Sequence, residues 1–75
     1  MKELIEYIVK SIVNVPDEVV VTEESDDDGI MLKLQVADED KGRVIGKQGR
    51  VAEAMRTLLR VKAAKAATRA RLEII

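Results

Sequence analysis

Two glycines, Gly46 and Gly49, stand three positions apart and enclose Lys47 and Gln48. Glycine lets the chain turn through positive φ and leaves no Cβ between the backbone and a ligand, so a phosphate can come close to such a loop. A helix is predicted to begin after Gly49, and its free amides and dipole attract anions, with Lys47 and Arg50 adding charge. The loop therefore predicts a phosphate-binding site, with an ordinary turn between two helices as the alternative.

Other chemistry is excluded by residue types that the sequence lacks. There is no cysteine and no histidine, which excludes disulfides, thiolate metal sites and imidazole bases. The segment from Gly42 to Lys47 is one residue too short for a P-loop, and Gln48 stands where Ser or Thr would bind magnesium. We therefore expect a binding protein that is not an enzyme and uses no cofactor.

Charge is distributed unevenly along the chain. The net charge is −1, but residues 1–40 carry three lysines against twelve acids, whereas residues 41–75 carry ten basic residues against two acids. A positively charged second half favours an anionic partner, although charges on a mixed helix often serve only solubility. With one aromatic residue, Tyr7, stacking on a row of aromatic side chains is not an available mode of nucleic-acid binding.

The first 29 residues predict a helix, a strand and an acidic connection. Leu4, Ile8 and Ile12 recur at helical spacing, and Pro16 forces the preceding residue out of the α region. Residues 19–22 are β-branched and predict a strand. The acidic run 23–28, closed by Gly29, predicts a solvated hairpin connection; a metal site is the alternative, which the absence of interleaved calcium ligands disfavours.

The remaining residues predict strand, short helix, long helix and strand. Apolar residues alternate with others over 30–37, which is typical of a strand, and Asp38 is placed to cap a helix over 39–45. Good helix formers fill residues 50–66, and alternation resumes over 68–75. The first two strands should pair antiparallel and the last should return parallel to the second. The predicted fold is α+β, in the order αββααβ, with three helices on one face of a three-stranded mixed sheet and one domain over residues 1–75.

This pattern resembles the KH domain, in which a strand and helix precede a Val/Ile-Ile-Gly-x-x-Gly loop and a helix and strand follow it. Val44 and Ile45 stand directly before Gly46 here, and the preceding helix and strand fit the type II arrangement. The chain is similar in particular to the small bacterial single-KH RNA-binding proteins of the KhpA type. The resemblance implies a groove formed by the loop, the two helices beside it and an edge of the sheet, which holds about four nucleotides with phosphates over the glycine loop.

The resemblance also implies which residues contact RNA. Ala52 stands where many KH domains have a large aliphatic residue, so a shallow floor, partly filled by Met55, is expected to favour weak and permissive binding. The residues expected to bind RNA are Lys41, Arg43, Val44, Ile45, Gly46, Lys47, Gln48, Gly49, Arg50 and Ala52, with Val44, Ile45 and Ala52 in the apolar floor.

The long helix predicts a second surface. Its apolar arc covers about half of the circumference, wider than one packed face requires. Met55, Leu58 and Leu59 are expected in the core, whereas Lys62 and Lys65 fall within the arc and would be costly to bury, so the distal helix is expected to project beyond its own core. A homodimer, or a heterodimer with another KH protein, is predicted through Leu58, Val61, Lys62 and Lys65.

The resemblance implies an RNA chaperone or post-transcriptional regulator that acts with a second KH protein and is linked to control of the cell envelope and cell shape. No segment approaches the ~20 apolar residues that span a bilayer, so we expect a cytoplasmic protein. Two alternatives stay open: a protein-interaction module with a vestigial loop, and a binder of single-stranded DNA.

Overall fold

Three helices cover one side of a three-stranded sheet in the computed structural model, which describes residues 1–75. The elements are α1 (Lys2–Ile12), β1 (Val20–Asp26), β2 (Gly29–Gln35), α2 (Lys41–Ile45), α3 (Arg50–Lys65) and β3 (Ala70–Ile74). Single 3₁₀ turns occupy residues 16–18, 38–40 and 47–49. The predicted α+β class and element order are confirmed. No helix has the length and apolar character needed to span a membrane.

The sheet has β2 at its centre. β1 pairs antiparallel with β2, and β3 pairs parallel with β2 after the crossover formed by α2 and α3, as predicted. Leu32 lies opposite Leu72, and Leu34 lies opposite Val21, so these side chains share one face of the sheet. All four are buried, which places the helices on this face.

The core is formed by the inner face of the sheet and one face of each helix. α1 contributes Ile5 and Val9, because residues four apart lie on one side of a helix. The shorter α2 contributes Val44, and α3 contributes Met55 and Leu59. The packed core fixes α2 and α3 against each other, and the glycine loop joins them at one end.

β1 extends beyond the predicted strand and includes part of the acidic run. Its register with β2 continues to the pair Asp26 and Gly29, which leaves a turn of only two residues. An Asp26 carboxylate oxygen accepts hydrogen bonds from the amides of Asp28 (2.8 Å) and Gly29 (3.2 Å). The predicted hairpin is confirmed, but the prediction that its connection spans residues 23–28 was wrong. Residues 23–26 belong to β1, which is an edge strand, where exposed charged side chains are compatible with pairing on the other side.

The prediction that Asp38 caps the short helix is also wrong. Asp38 is exposed, makes no capping bond and pairs with Lys41 at 3.2 Å. Asp40 is instead the buried acid, and its two carboxylate oxygens accept the amides of Asn14 and Val15, each at 3.0 Å. Asp40 therefore ties the segment after α1 to the start of α2.

Candidate nucleic-acid interface

The backbone of the glycine loop makes one tight turn between α2 and α3. The Gly46 amide donates to the Gly42 carbonyl at 2.8 Å and ends α2, and the Gly49 amide donates to the Gly46 carbonyl at 3.1 Å. Gly46, Gln48 and Gly49 have φ values of 79°, 58° and 73°. Because L-residues rarely adopt such values, the loop depends on its glycines for this shape.

The two glycines are required for different reasons. A Cβ at Gly46 would lie 2.5 Å from Cγ2 of Val51 and 2.8 Å from the Val51 amide nitrogen, so the absent side chain allows α3 to pack against the loop. A Cβ at Gly49 would meet nothing within 4 Å. Close approach of a ligand to bare backbone is therefore a property of Gly49, whereas Gly46 is constrained by packing.

Positive charge and hydrogen-bonding groups surround Gly49. Lys47, Gln48 and Arg50 are exposed, and Arg50 Nη2 donates to Gln48 Oε1 at 3.2 Å. Gly49 is the N-cap of α3 and has no side chain that could accept hydrogen bonds from the first amides of this helix. The helix N-terminus therefore presents its partial positive charge beside two cationic side chains, an arrangement that favours an anion.

The two basic residues of α2 differ in their availability. Lys41 is half-buried, and its ammonium group is paired with Asp38, whereas the side chain of Arg43 is exposed. Because ion pairs at the surface typically contribute only about 0–1 kcal/mol to stability, Lys41 can exchange Asp38 for a phosphate at little cost.

A groove of about 490 Å³ opens beside the loop, between the helices and β3. Ile45, Gly49 and Ala52 line the helical side, and Leu72 and Ile74 line the strand side. Five of its nine lining residues are hydrophobic, and Arg56, Arg71 and Glu73 are the charged ones. Such a groove can hold flat apolar groups while an attached anion lies over Gly49.

The predicted floor needs correction at two positions. Val44 is fully buried in the core, and Met55 is also a core residue, so neither lines the groove. Consecutive helical residues point about 100° apart, so the inward position of Val44 turns Ile45 outward. Ile45 is 41% exposed and remains in the floor together with Ala52.

Six residues of the groove were not predicted from the sequence: Met31, Arg56, Arg71, Leu72, Glu73 and Ile74. Arg56 lies on the groove, and its Nε donates to the Leu72 carbonyl at 3.5 Å, which links α3 to β3. Its position, one turn beyond Ala52, is a signal that the sequence does contain. Leu72 and Ile74 had no such signal, because only the tertiary arrangement brings β3 beside the loop.

The residues predicted at a dimer interface are exposed on α3, with one correction. Leu58 was expected in the core but is 48% exposed, and Val61 is 53% exposed. Lys62 and Lys65 are exposed as well, whereas Ala63 is buried. The lysines therefore lie on the solvent side of a helix that still packs on the sheet, and α3 does not leave its own core there.

Comparisons with known proteins give one family for almost the whole chain. The profile of the family described as "KhpA/KhpB, KH domain" matches residues 2–74. The chain is 52% identical over 75 residues to the RNA-binding protein KhpA of Clostridium acetobutylicum, covering 100% of both chains. It is also 52% identical to the RNA-binding protein KhpA of Listeria monocytogenes, covering 100% of this chain and 99% of the relative.

A third relative gives a similar result. The chain is 50% identical over 74 residues to the RNA-binding protein KhpA of Treponema pallidum, covering 99% of this chain and 92% of that protein. No solved structure matches the chain significantly.

Proposed function

Because the chain belongs to the KhpA/KhpB family of KH domains, we propose that it acts as a single-domain protein that holds short single-stranded RNA across its Gly46-Lys47-Gln48-Gly49 loop. RNA binding is what the names of its full-length relatives state. In the proposed complex the phosphates lie over Gly49, and the bases enter the groove between Ile45 and β3.

The observation that carries this proposal is the open space at Gly49. Gly49 has no side chain that would block a ligand from its backbone, and the space in front of it is open. It lies at the N-terminus of α3 and lines the apolar groove. Lys47 and Arg50 stand on either side, where a phosphate would pair with them. The same geometry does not require a 2′-hydroxyl, so single-stranded DNA is the competing ligand.

The groove favours permissive recognition. Ala52 leaves its floor shallow, and no aromatic side chain lines it. Binding would then depend chiefly on the backbone, which is what an RNA chaperone or general post-transcriptional regulator needs.

We further propose that the protein works with a second KH domain, either another copy or a related chain. The observation that favours this is an exposed apolar stripe on α3, formed by Ala54, Leu58 and Val61. These residues are three or four positions apart and so share one side of the helix, away from the buried Met55 and Leu59. A KH partner would bury the stripe, with Lys62 and Lys65 at its margin.

A titration with labelled oligonucleotides tests the RNA proposal. We expect saturable binding of an unstructured uridine tetramer, weakening as salt rises, because phosphate contacts release counterions. The matched thymidine tetramer measures discrimination by the 2′-hydroxyl. Absence of binding to either tetramer at low salt, by a folded chain, would contradict the proposal, and a clear preference for DNA would favour the alternative ligand.

A further inference from the structure

A second hollow, of about 580 Å³, lies between the distal half of α3 and the start of β3. Its lining includes three arginines, Arg60 from α3 and Arg69 and Arg71 from the β3 side, against one acid, Asp28. The rest of the lining is small: Ala63, Ala64, Thr68 and Ala70. Short side chains leave the arginines accessible, and the excess of positive charge suits an anionic ligand.

This hollow continues the groove beside the glycine loop. Arg71 lines both, and Arg56 in the groove stands one helical turn from Arg60 in the hollow. We call Arg56, Arg60, Arg69 and Arg71 the arginine track. Arg60 is eleven residues beyond Gly49, about 16 Å along the axis of α3, so the track leads away from the loop.

The distal arginines are available to a ligand. Arg69 and Arg71 are exposed and form no ion pair within 4.0 Å. Arg60 pairs with Glu53 at 3.5 Å, but both side chains are more than half exposed, so a phosphate can replace the carboxylate. The guanidinium group is planar and can donate two parallel hydrogen bonds to a phosphate.

We propose, on the premise that the loop binds single-stranded RNA, that the arginine track extends the RNA-binding surface beyond the groove. A KH loop accommodates about four nucleotides. The nucleotides that follow would run along the seam between α3 and β3, with their phosphates paired to Arg60 and Arg69. The track ends at the β1–β2 turn, where the carboxylate of Asp28 would repel the phosphates of the RNA backbone.

The test compares uridine tetramers and octamers on the wild type and on the double variant Arg60→Gln, Arg69→Gln. Both arginine side chains are exposed, so the variant should fold, which circular dichroism checks. An octamer offers five registers to a four-nucleotide site, so statistics alone give about a fivefold advantage over the tetramer. Lys10→Gln, which removes one exposed charge from α1, is the control.

We expect the wild type to bind the octamer more tightly than this fivefold advantage allows. The double variant should bind the tetramer within about twofold of wild type, lose the additional octamer affinity, and reduce the octamer's log–log salt slope by about 1.4, or 0.7 for each lost phosphate contact. Asp28→Asn should tighten only the octamer, whereas Asp17→Asn, outside both hollows, should change neither ligand.

The outcomes separate this proposal from the function on which it rests. A wild type that binds both oligonucleotides with only the statistical difference overturns the track and leaves the loop site intact. An octamer affinity that the double variant does not change has the same consequence. Failure to bind either oligonucleotide overturns both proposals. Binding of the octamer alone, through Arg60 and Arg69, supports the track and contradicts the loop site.

Discussion

At the scale of single residues, the two loop glycines should respond differently to substitution. Both have positive φ, so alanine should cost about 1 kcal/mol at either position. At Gly46 the added Cβ also clashes with backbone and side-chain atoms of Val51, and overpacking typically adds about 1–3 kcal/mol. Urea unfolding should therefore show a larger loss for Gly46→Ala than for Gly49→Ala. Equal losses would contradict the difference in packing.

Asp40 should be the acid on which stability depends most. Asp40→Ala would leave the amides of Asn14 and Val15 without their acceptor in a partly buried site, and an unsatisfied group costs about 1–3 kcal/mol when it is fully buried. We expect a total loss of about 2–4 kcal/mol, measured by thermal or urea unfolding. Asp38→Ala, on the same 3₁₀ turn but exposed, is the control and should change stability by less than about 0.5 kcal/mol. A similar effect at both positions would show that the tie between α1 and α2 contributes little.

Some of these residues could be predicted from sequence and others could not. Gly46 and Gly49 were identified because glycine spacing and flanking helices are local signals. Adjacent Val44 and Ile45 read alike in sequence, and only the packing of α2 shows that the first is buried and the second faces the groove. Asp40 is one of three consecutive acids at the start of a predicted helix, and nothing local in the sequence shows that its partners lie 25 and 26 residues earlier in the chain.

At the scale of elements, the loop and the start of α3 each present one cationic side chain to the proposed phosphate site. Lys47→Ala and Arg50→Ala should weaken RNA binding similarly for all base sequences, because phosphate contacts carry no sequence information. Each should flatten the slope of log affinity against log salt by about 0.7 if it removes one phosphate contact. Titrations at several salt concentrations measure this slope, with Lys10→Ala on α1 as the control. Unchanged slopes would show that Lys47 and Arg50 serve only solubility.

The elements themselves were largely predictable where their periodicity was strong. β2 and α3 were placed within two residues, because alternation and helix propensity are local properties. β1 was predicted too short, since Glu23, Glu24 and Asp26 have low strand propensity and are held by register with β2. An edge of the sheet was expected in the groove, but its individual residues on β3 were not named, because β3 reaches the loop only through the parallel crossover.

At the scale of the whole molecule, α3 presents different residues to different partners. Arg60 belongs to the arginine track, and Val61, about 100° round the helix, belongs to the apolar stripe. An RNA strand and a protein partner could therefore be bound together without competing for one face. Under the two proposals, this separation would allow a chain of 75 residues to serve both roles.

The stripe predicts an effect on assembly. Val61→Asp should leave the fold intact, since Val61 is about half exposed, and should dissociate a homodimer by placing an unpaired charge in a desolvated contact. Sedimentation should show the wild type as a dimer and the variant as a monomer with unchanged circular dichroism. Tyr7→Asp, at an exposed apolar position on α1, is the control. A wild type that stays monomeric at high concentration would contradict the homodimer and leave only a different KH partner.

The central claim is that RNA phosphates lie over the bare backbone of Gly49, and one pair of variants tests it most directly. Gly49→Asn and Gly49→Asp add side chains of nearly equal size, and both residues tolerate positive φ better than others, so the fold should survive in each. Binding of a uridine tetramer should weaken with Asn, which blocks close approach, and should be abolished with Asp, which also repels the phosphate. Wild-type affinity in a correctly folded Gly49→Asp protein would contradict the account.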